Sequence, residues 1–204
     1  MRNTKLYLPK VAFIDFDGTL IDVTERLYRV FIALTGVSIS YEEYWRLKDV
    51  GLKQQDMLKH CNYQGDYRAF AHEWLSMIEQ EQWLFYDKKI HGADFFLQEM
   101  KKSFEIVVCT NRQLRVGVLW ELERFGWQNM FRDILVTEQK MEKSHMMNSY
   151  LKGAYLGVMI GDSVDDEQAA CTIGIPFFRV DHRKIRKIKE KDGFSKVLES
   201  IFGV

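Results

Sequence analysis

Asp15 and Asp17 are separated by one residue at the end of an apolar run, Val11-Ala-Phe-Ile. On an extended backbone their side chains face the same way. Two neighbouring carboxylates repel, and both stay ionised only with positive charge close by. Asp162 ends a second apolar run and can complete an all-oxygen site. Oxygen-only ligation favours a hard cation, Mg²⁺ first among them. Ser163 and Asp162 also suit the start of a helix.

A carboxylate is a weak nucleophile, but it can attack a phosphoryl group whose charge is neutralised, giving an aspartyl-phosphate. The second carboxylate can then protonate the leaving oxygen and later take a proton from water. Such transfer needs positioning and positive charge above all. Thr110 and the backbone N–H groups of an adjacent helix start can bind phosphoryl oxygens. A lysine is also expected, and two stand in the right interval, Lys143 and Lys140. Asp166, four residues after Asp162, stays on the same helix face and can hold that lysine or a metal-bound water.

These residues need a scaffold that brings distant segments together. The run 11–15 reads as a buried strand. From residue 23 to about 86 the sequence has no proline and no clear strand, and apolar residues recur at helical spacing, as in Leu27, Val30, Phe31 and Leu34. That segment predicts three or four helices. Beyond His91 the patterns alternate. Helices are expected over 93–101, 114–125, 144–152, 164–172 and 194–202, and strands over 105–109, 133–136, 155–160 and 176–180. Alternation of this kind specifies a parallel sheet with helices on both faces. In such sheets chemistry lies beyond the carboxyl ends of the strands. That rule selects Asp15-Phe-Asp17-Gly-Thr, Thr110-Asn-Arg and Gly161-Asp-Ser-Val-Asp-Asp166.

Composition narrows the function class. Lys plus Arg and Asp plus Glu each number 29 in 204 residues, so the formal net charge is zero. This removes the general electrostatic drive towards nucleic acid or an anionic membrane. The basic run Arg183–Lys189 reads as a solvated face. The longest stretch without a charge, residues 30–41, has 12 residues, short of the roughly 20 that span a bilayer. No signal peptide is apparent. Cys61, Cys109 and Cys171 fit no disulfide framework or zinc pattern, and a cytoplasmic location is the expectation.

The three segments resemble the motifs of the haloacid dehalogenase (HAD) superfamily. Asp15-Phe-Asp17-Gly18-Thr19-Leu20 is similar to its first motif, Thr110-Asn111 to its second, and Gly161-Asp162-Ser163-Val-Asp-Asp166 with Ala169-Ala170 and Gly174 to its fourth. The third motif is one lysine, Lys143 or, as runner-up, Lys140. The resemblance implies a Rossmann-like three-layer α/β core over residues 1–21 and 89–204. An all-α helical cap over 22–88 would be inserted in it, as in phosphoglycolate phosphatase and β-phosphoglucomutase relatives. It implies Asp15 as nucleophile and Mg²⁺ ligand, and Asp17 as general acid/base that also gives the metal its backbone carbonyl. Asp162 would be the third metal ligand. Thr110 and Lys143 would bind the phosphoryl group with Gly18, Thr19 and Asn111, and Asp166 would be a supporting acid. In the cap, Lys53, Lys48 and Arg46 are candidates for a second anionic group of the substrate. His91-Gly92 replaces the Pro-Gly common before the next helix.

The second acid separates subclasses: dehalogenases lack it, whereas phosphatases and phosphomutases carry it. The expected activity is hydrolysis of a small phosphorylated metabolite by a monomer that binds neither nucleic acid nor membrane. The rivals are a phosphomutase, which would return the phosphoryl group to a sugar, and a binding protein on a HAD scaffold. Arg112 reads as an exposed arginine at a helix start, with substrate contact as the alternative. Cys109 reads as a small packed hydrophobe. The aromatic residues of the helical segment, among them Tyr41, Tyr44, Trp45, Trp74, Trp83, Phe85 and Tyr86, read as core.

Overall fold

The structure, a computed structural model, describes residues 10–152, 156–181 and 193–203. The basic run at 183–189 lies outside them. In chain order the elements are β1 (Lys10–Ile14), β2 (Ile21–Asp22), α1 (Thr24–Thr35), α2 (Tyr41–Asp49), α3 (Gln54–His60), α4 (Tyr67–Met77), α5 (Glu81–Leu84) and β3 (Lys88–Lys89). There follow α6 (Ala93–Lys101), β4 (Glu105–Thr110), α7 (Arg115–Arg124), β5 (Asp133–Val136), α8 (Lys143–Leu151), β6 (Leu156–Gly161), α9 (Val164–Ile173), β7 (Phe177–Arg179) and α10 (Gly193–Phe202). The chain divides into two compact units, 1–22 with 89–204 and 23–88.

The larger unit is built on a five-stranded sheet of order β5-β4-β1-β6-β7, every pairing parallel. β1 is central and buried along four of its five residues, which is why its sequence is a continuous apolar run. Alternation along the strands sends Val11 and Phe13, with Val107, Cys109 and Met159, into one cluster with Met147 and Leu151 of α8 and Ala169 and Ala170 of α9. α6 and α10 pack on each other, with Phe96 stacked on Phe194 at 4.5 Å between ring centroids. The expected parallel α/β core is therefore present.

The register fixes the chemistry. Ile14 of β1 lies level with Val108 of β4 and Ile160 of β6, and Asp15 N donates to Ile160 O at 2.9 Å. The strands are parallel and are added outward on both sides of β1, so Asp15, Thr110 and Asp162 stand at the same edge of the sheet. α9 is fastened there by a capping box. Asp166 N donates to Ser163 Oγ at 3.2 Å, and Ser163 N donates to Asp166 Oδ2 at 3.2 Å.

The smaller unit holds five helices rather than three or four. The extra one is α5, a single turn of four residues, too short for periodicity to reveal. β2 and β3, two residues each, form a separate two-stranded sheet that was also not anticipated. The helical core gathers Phe31, Tyr44, Leu47, Met57, Leu58 and Phe70, with Trp45 and Trp74 packed against it. Phe85 departs from expectation and is 67% exposed. Inside this unit Arg26, 2% exposed, donates to Asp87 Oδ1 at 3.0 Å and to Ile78 O at 2.9 Å. Breaking one member of a buried pair strands the other charge. Asp87→Ala is expected to cost about 3–5 kcal/mol in urea denaturation, whereas Val116→Ala, at an exposed position, should stay within about 0.5 kcal/mol.

Candidate active site

Asp15 follows β1 and is 6% exposed. Lys143, the first residue of α8, is 5% exposed and donates from Nζ to Asp15 Oδ1 at 2.9 Å and to Asp166 Oδ1 at 2.5 Å. Lys140 is on the surface and pairs with Glu138 at 2.9 Å. The structure thus brings Lys143, and not Lys140, to the acidic cluster. Thr19, fully buried, donates from Oγ1 to Asp15 Oδ2 at 3.1 Å. Both oxygens of Asp15 are oriented by neighbours.

Carboxylate oxygens of Asp15, Asp162 and Asp166 lie within 4.8 Å of one another. Gly18 and Gly161 make this approach possible. A Cβ on Gly18, whose φ is +80°, would stand 2.6 Å from Asp162 Oδ2, and a Cβ on Gly161 would stand 2.3 Å from Asp166 Oδ2. The donor set is all oxygen and close-set, and it fits a hard divalent cation. Within it Asp166 has a different task. Its Oδ1 takes Lys143, and its Oδ2 takes Ser163 N and Oγ, the latter at 2.6 Å. Asp15 and Asp162 bring the other two carboxylates to the cluster. Arg179 steadies Asp162 by donating to its carbonyl at 3.0 Å.

Burial pushes the Asp15 carboxyl up to about 7; Lys143 pulls against this, and Asp166 and Asp162 add to it. For Lys143 burial opposes the charge, but Asp15 and Asp166 outweigh it and hold the ammonium above its ordinary value. Burial likewise pushes Cys109 up to about 12, consistent with a packed, unreactive thiol.

Thr110 ends β4 and is 2% exposed, and its carbonyl accepts Thr137 N at 3.0 Å. Asn111 is exposed and lines a cavity of about 410 Å³ with Thr137, Gln139, Lys140, Met141 and Glu142. Lys53 is exposed at the N-cap of α3 in the smaller unit. There Arg46 pairs with Glu43 at 2.7 Å and Lys48 donates to Gln54 Oε1 at 2.7 Å.

Arg112 corrects the sequence reading. It precedes α7 but is 3% exposed, not a surface arginine. Its Nε and NH2 donate to the Asp17 carboxylate at 2.9 and 2.5 Å, and its NH1 donates to Glu121, which is fully buried. Sequence reasoning missed Glu121 entirely. The available signal was a glutamate at a core position of α7, between Val118 and Leu122.

The folded Asp15 carboxyl keeps its proton at pH values where the unfolded one, near 3.8, has lost it. Stability from this group is therefore full below about pH 4 and falls as pH rises towards 7. Without divalent cations, wild type should lose stability relative to Asp15→Asn across that window, by a few kcal/mol in order of magnitude. Mg²⁺ should narrow the gap at pH 7. Urea titrations at stepped pH test this, and a flat difference contradicts it.

Residues 12–180 match the family model described as haloacid dehalogenase-like hydrolase. Similar solved structures include a haloacid dehalogenase-like family hydrolase from Streptococcus pneumoniae (15% identical, covering 85% of each chain, TM-score 0.68). Another, from Clostridium acetobutylicum, is titled a predicted phosphatase (16% identical, covering 97% of this chain and 100% of that one, TM-score 0.66). A third is the HAD-hydrolase YfnB from Bacillus subtilis, titled as bound to magnesium (16% identical, covering 83% of this chain and 85% of that one, TM-score 0.57). No curated protein matches the chain. With the model spanning most of the sequence and the sheet and its acidic edge in place, the chain belongs to the haloacid dehalogenase-like hydrolase family.

Proposed function

We propose that the chain is a Mg²⁺-dependent phosphatase that hydrolyses a small phosphorylated metabolite through an aspartyl-phosphate on Asp15. The observation that carries this reading is the buried Lys143 ammonium held between Asp15 and Asp166, with Asp162 beside them. A buried, oriented carboxylate next to fixed positive charge suits attack on phosphorus. The names of the Clostridium and Bacillus proteins support the phosphatase and magnesium parts.

Thr19 and Lys143 fix the Asp15 carboxylate for in-line attack. As the Asp15 oxygen bonds to phosphorus, the bond to the leaving oxygen breaks, and Asp17 gives that oxygen a proton. Asp17 then takes a proton from water, whose oxygen attacks phosphorus and frees Asp15. Thr110, Asn111, Lys143 and the Gly18-Thr19 segment bind phosphoryl oxygens. Asp15, Asp162 and the Asp17 backbone carbonyl would hold a Mg²⁺ ion, which when bound would supply charge that offsets repulsion between carboxylate and phosphate. Lys53 of the helical unit meets a second anionic group of the substrate. The protein acts as a cytoplasmic monomer with neither nucleic acid nor membrane as partner. No helix among the described residues is long and apolar enough to cross a membrane, and Cys61, Cys109 and Cys171 are free thiols.

Phosphate release from an aryl phosphate tests the proposal. Turnover should require Mg²⁺ and fall at least about a thousandfold in Asp15→Asn. Lys143→Met should lower kcat about a hundredfold or more, while Lys140→Met changes it less than twofold. Equal turnover by wild type and Asp15→Asn would overturn the reading.

A further inference from the structure

We propose that Arg112 is a positioning residue for Asp17, held in its turn by the buried carboxylate of Glu121. The proposal deepens the phosphoryl-transfer reading and rests on it.

Asp17 needs a holder. It lies in the turn after β1, and its side chain is 31% exposed, so a short carboxylate there has room to change rotamer. Arg112 removes that freedom. Its Nε donates to Asp17 Oδ1 at 3.1 Å and Oδ2 at 2.9 Å, and its NH2 donates to Oδ1 at 2.5 Å. A planar fork on a carboxylate fixes its plane and direction, which a lysine cannot do.

The fork is itself immobilised from three sides. Glu121, with no exposed surface, accepts the NH1 donor. The Phe16 ring, from the same turn as Asp17, lies 5.2 Å from the guanidinium carbon. The Arg112 carbonyl accepts Glu138 N at 3.0 Å, which ties the segment after β4 to the segment after β5. Arg124 stands 3.6 Å from Glu121 and shares its charge. A helix that buries a glutamate at Glu121 gains little stability over an apolar residue of similar size. What the arrangement does provide is a fixed guanidinium at the acid that must serve both half-reactions.

The test separates positioning from folding. Arg112→Met alone would take from Glu121 the donor it receives from NH1, so the informative variant is Arg112→Met/Glu121→Leu, in which that pair of charges leaves together and packing is kept. It is compared with wild type, Arg112→Lys and Asp17→Asn, and with the combination of all three substitutions. The readouts are kcat and KM for Mg²⁺-dependent release from the aryl phosphate, the thermal midpoint, and the crystal structure of the double variant. The double variant should melt near wild type, keep KM within about threefold and lose about a hundredfold in kcat. Arg112→Lys should recover only part of that loss. In the Asp17→Asn background the same double change should cost less than about twofold, because the group it positions is already gone. Asp17 in the crystal should leave its wild-type orientation. A hundredfold loss that persists in the Asp17→Asn background, an unchanged kcat, or an Asp17 carboxylate still in place would overturn the proposal. A wild type without Asp15-dependent turnover would instead overturn the phosphatase reading, and the crystal result would still decide whether Arg112 holds Asp17.

Discussion

Three carboxylates converge at the edge of the sheet, and the ammonium of Lys143 lies between two of them, Asp15 and Asp166, and offsets their repulsion. Burial alone would make Asp15 a neutral acid and therefore no nucleophile. Lys143 opposes that, while Asp166, fastened into the capping box of α9, keeps Lys143 from following either partner out of place. The same contact joins α8, α9 and the end of β1, so the packing of three elements and the charge state of one oxygen pair depend on it together.

The sheet order explains why this contact forms. β1 lies between β4 and β6, and the three strands run parallel in tight register. Asp15 just after β1, Asp162 just after β6 and Thr110 at the end of β4 then arrive at one edge although the chain separates them widely. Glycine does the rest, since side chains at Gly18 or Gly161 would occupy the space the acids need. The geometry of the acid edge is thus a backbone property first and a side-chain property second.

Much of this was visible in the sequence because it is local. The apolar run of β1 ends at Asp15, the β5 limits follow from four residues, and α9 announces itself with Ser163 and Asp166 and stops at Gly174, whose φ is +73°. Spacing ranks Lys143 above Lys140 without deciding between them. What separates them is which residue begins α8, because the first position of that helix faces Asp15 and a position three earlier faces solvent. Arg112 and Glu121 were unreadable for another reason. A charged side chain is mostly exposed, and a pair made across 95 residues, as Arg112 makes with Asp17, leaves no period. The Arg26–Asp87 pair was hidden in the same way. Buried charges satisfied by distant partners are what pattern reading loses.

The central claim is that Asp15 becomes covalently phosphorylated, and it is open to direct observation. Enzyme mixed with an aryl phosphate and Mg²⁺ is acid-quenched within the first turnovers, reduced with borohydride, and mapped by peptide mass. An acyl phosphate at residue 15 is converted to homoserine, so the account predicts homoserine at that position in wild type and none in Asp15→Asn. Phosphate release at full rate with residue 15 recovered only as aspartate would contradict it.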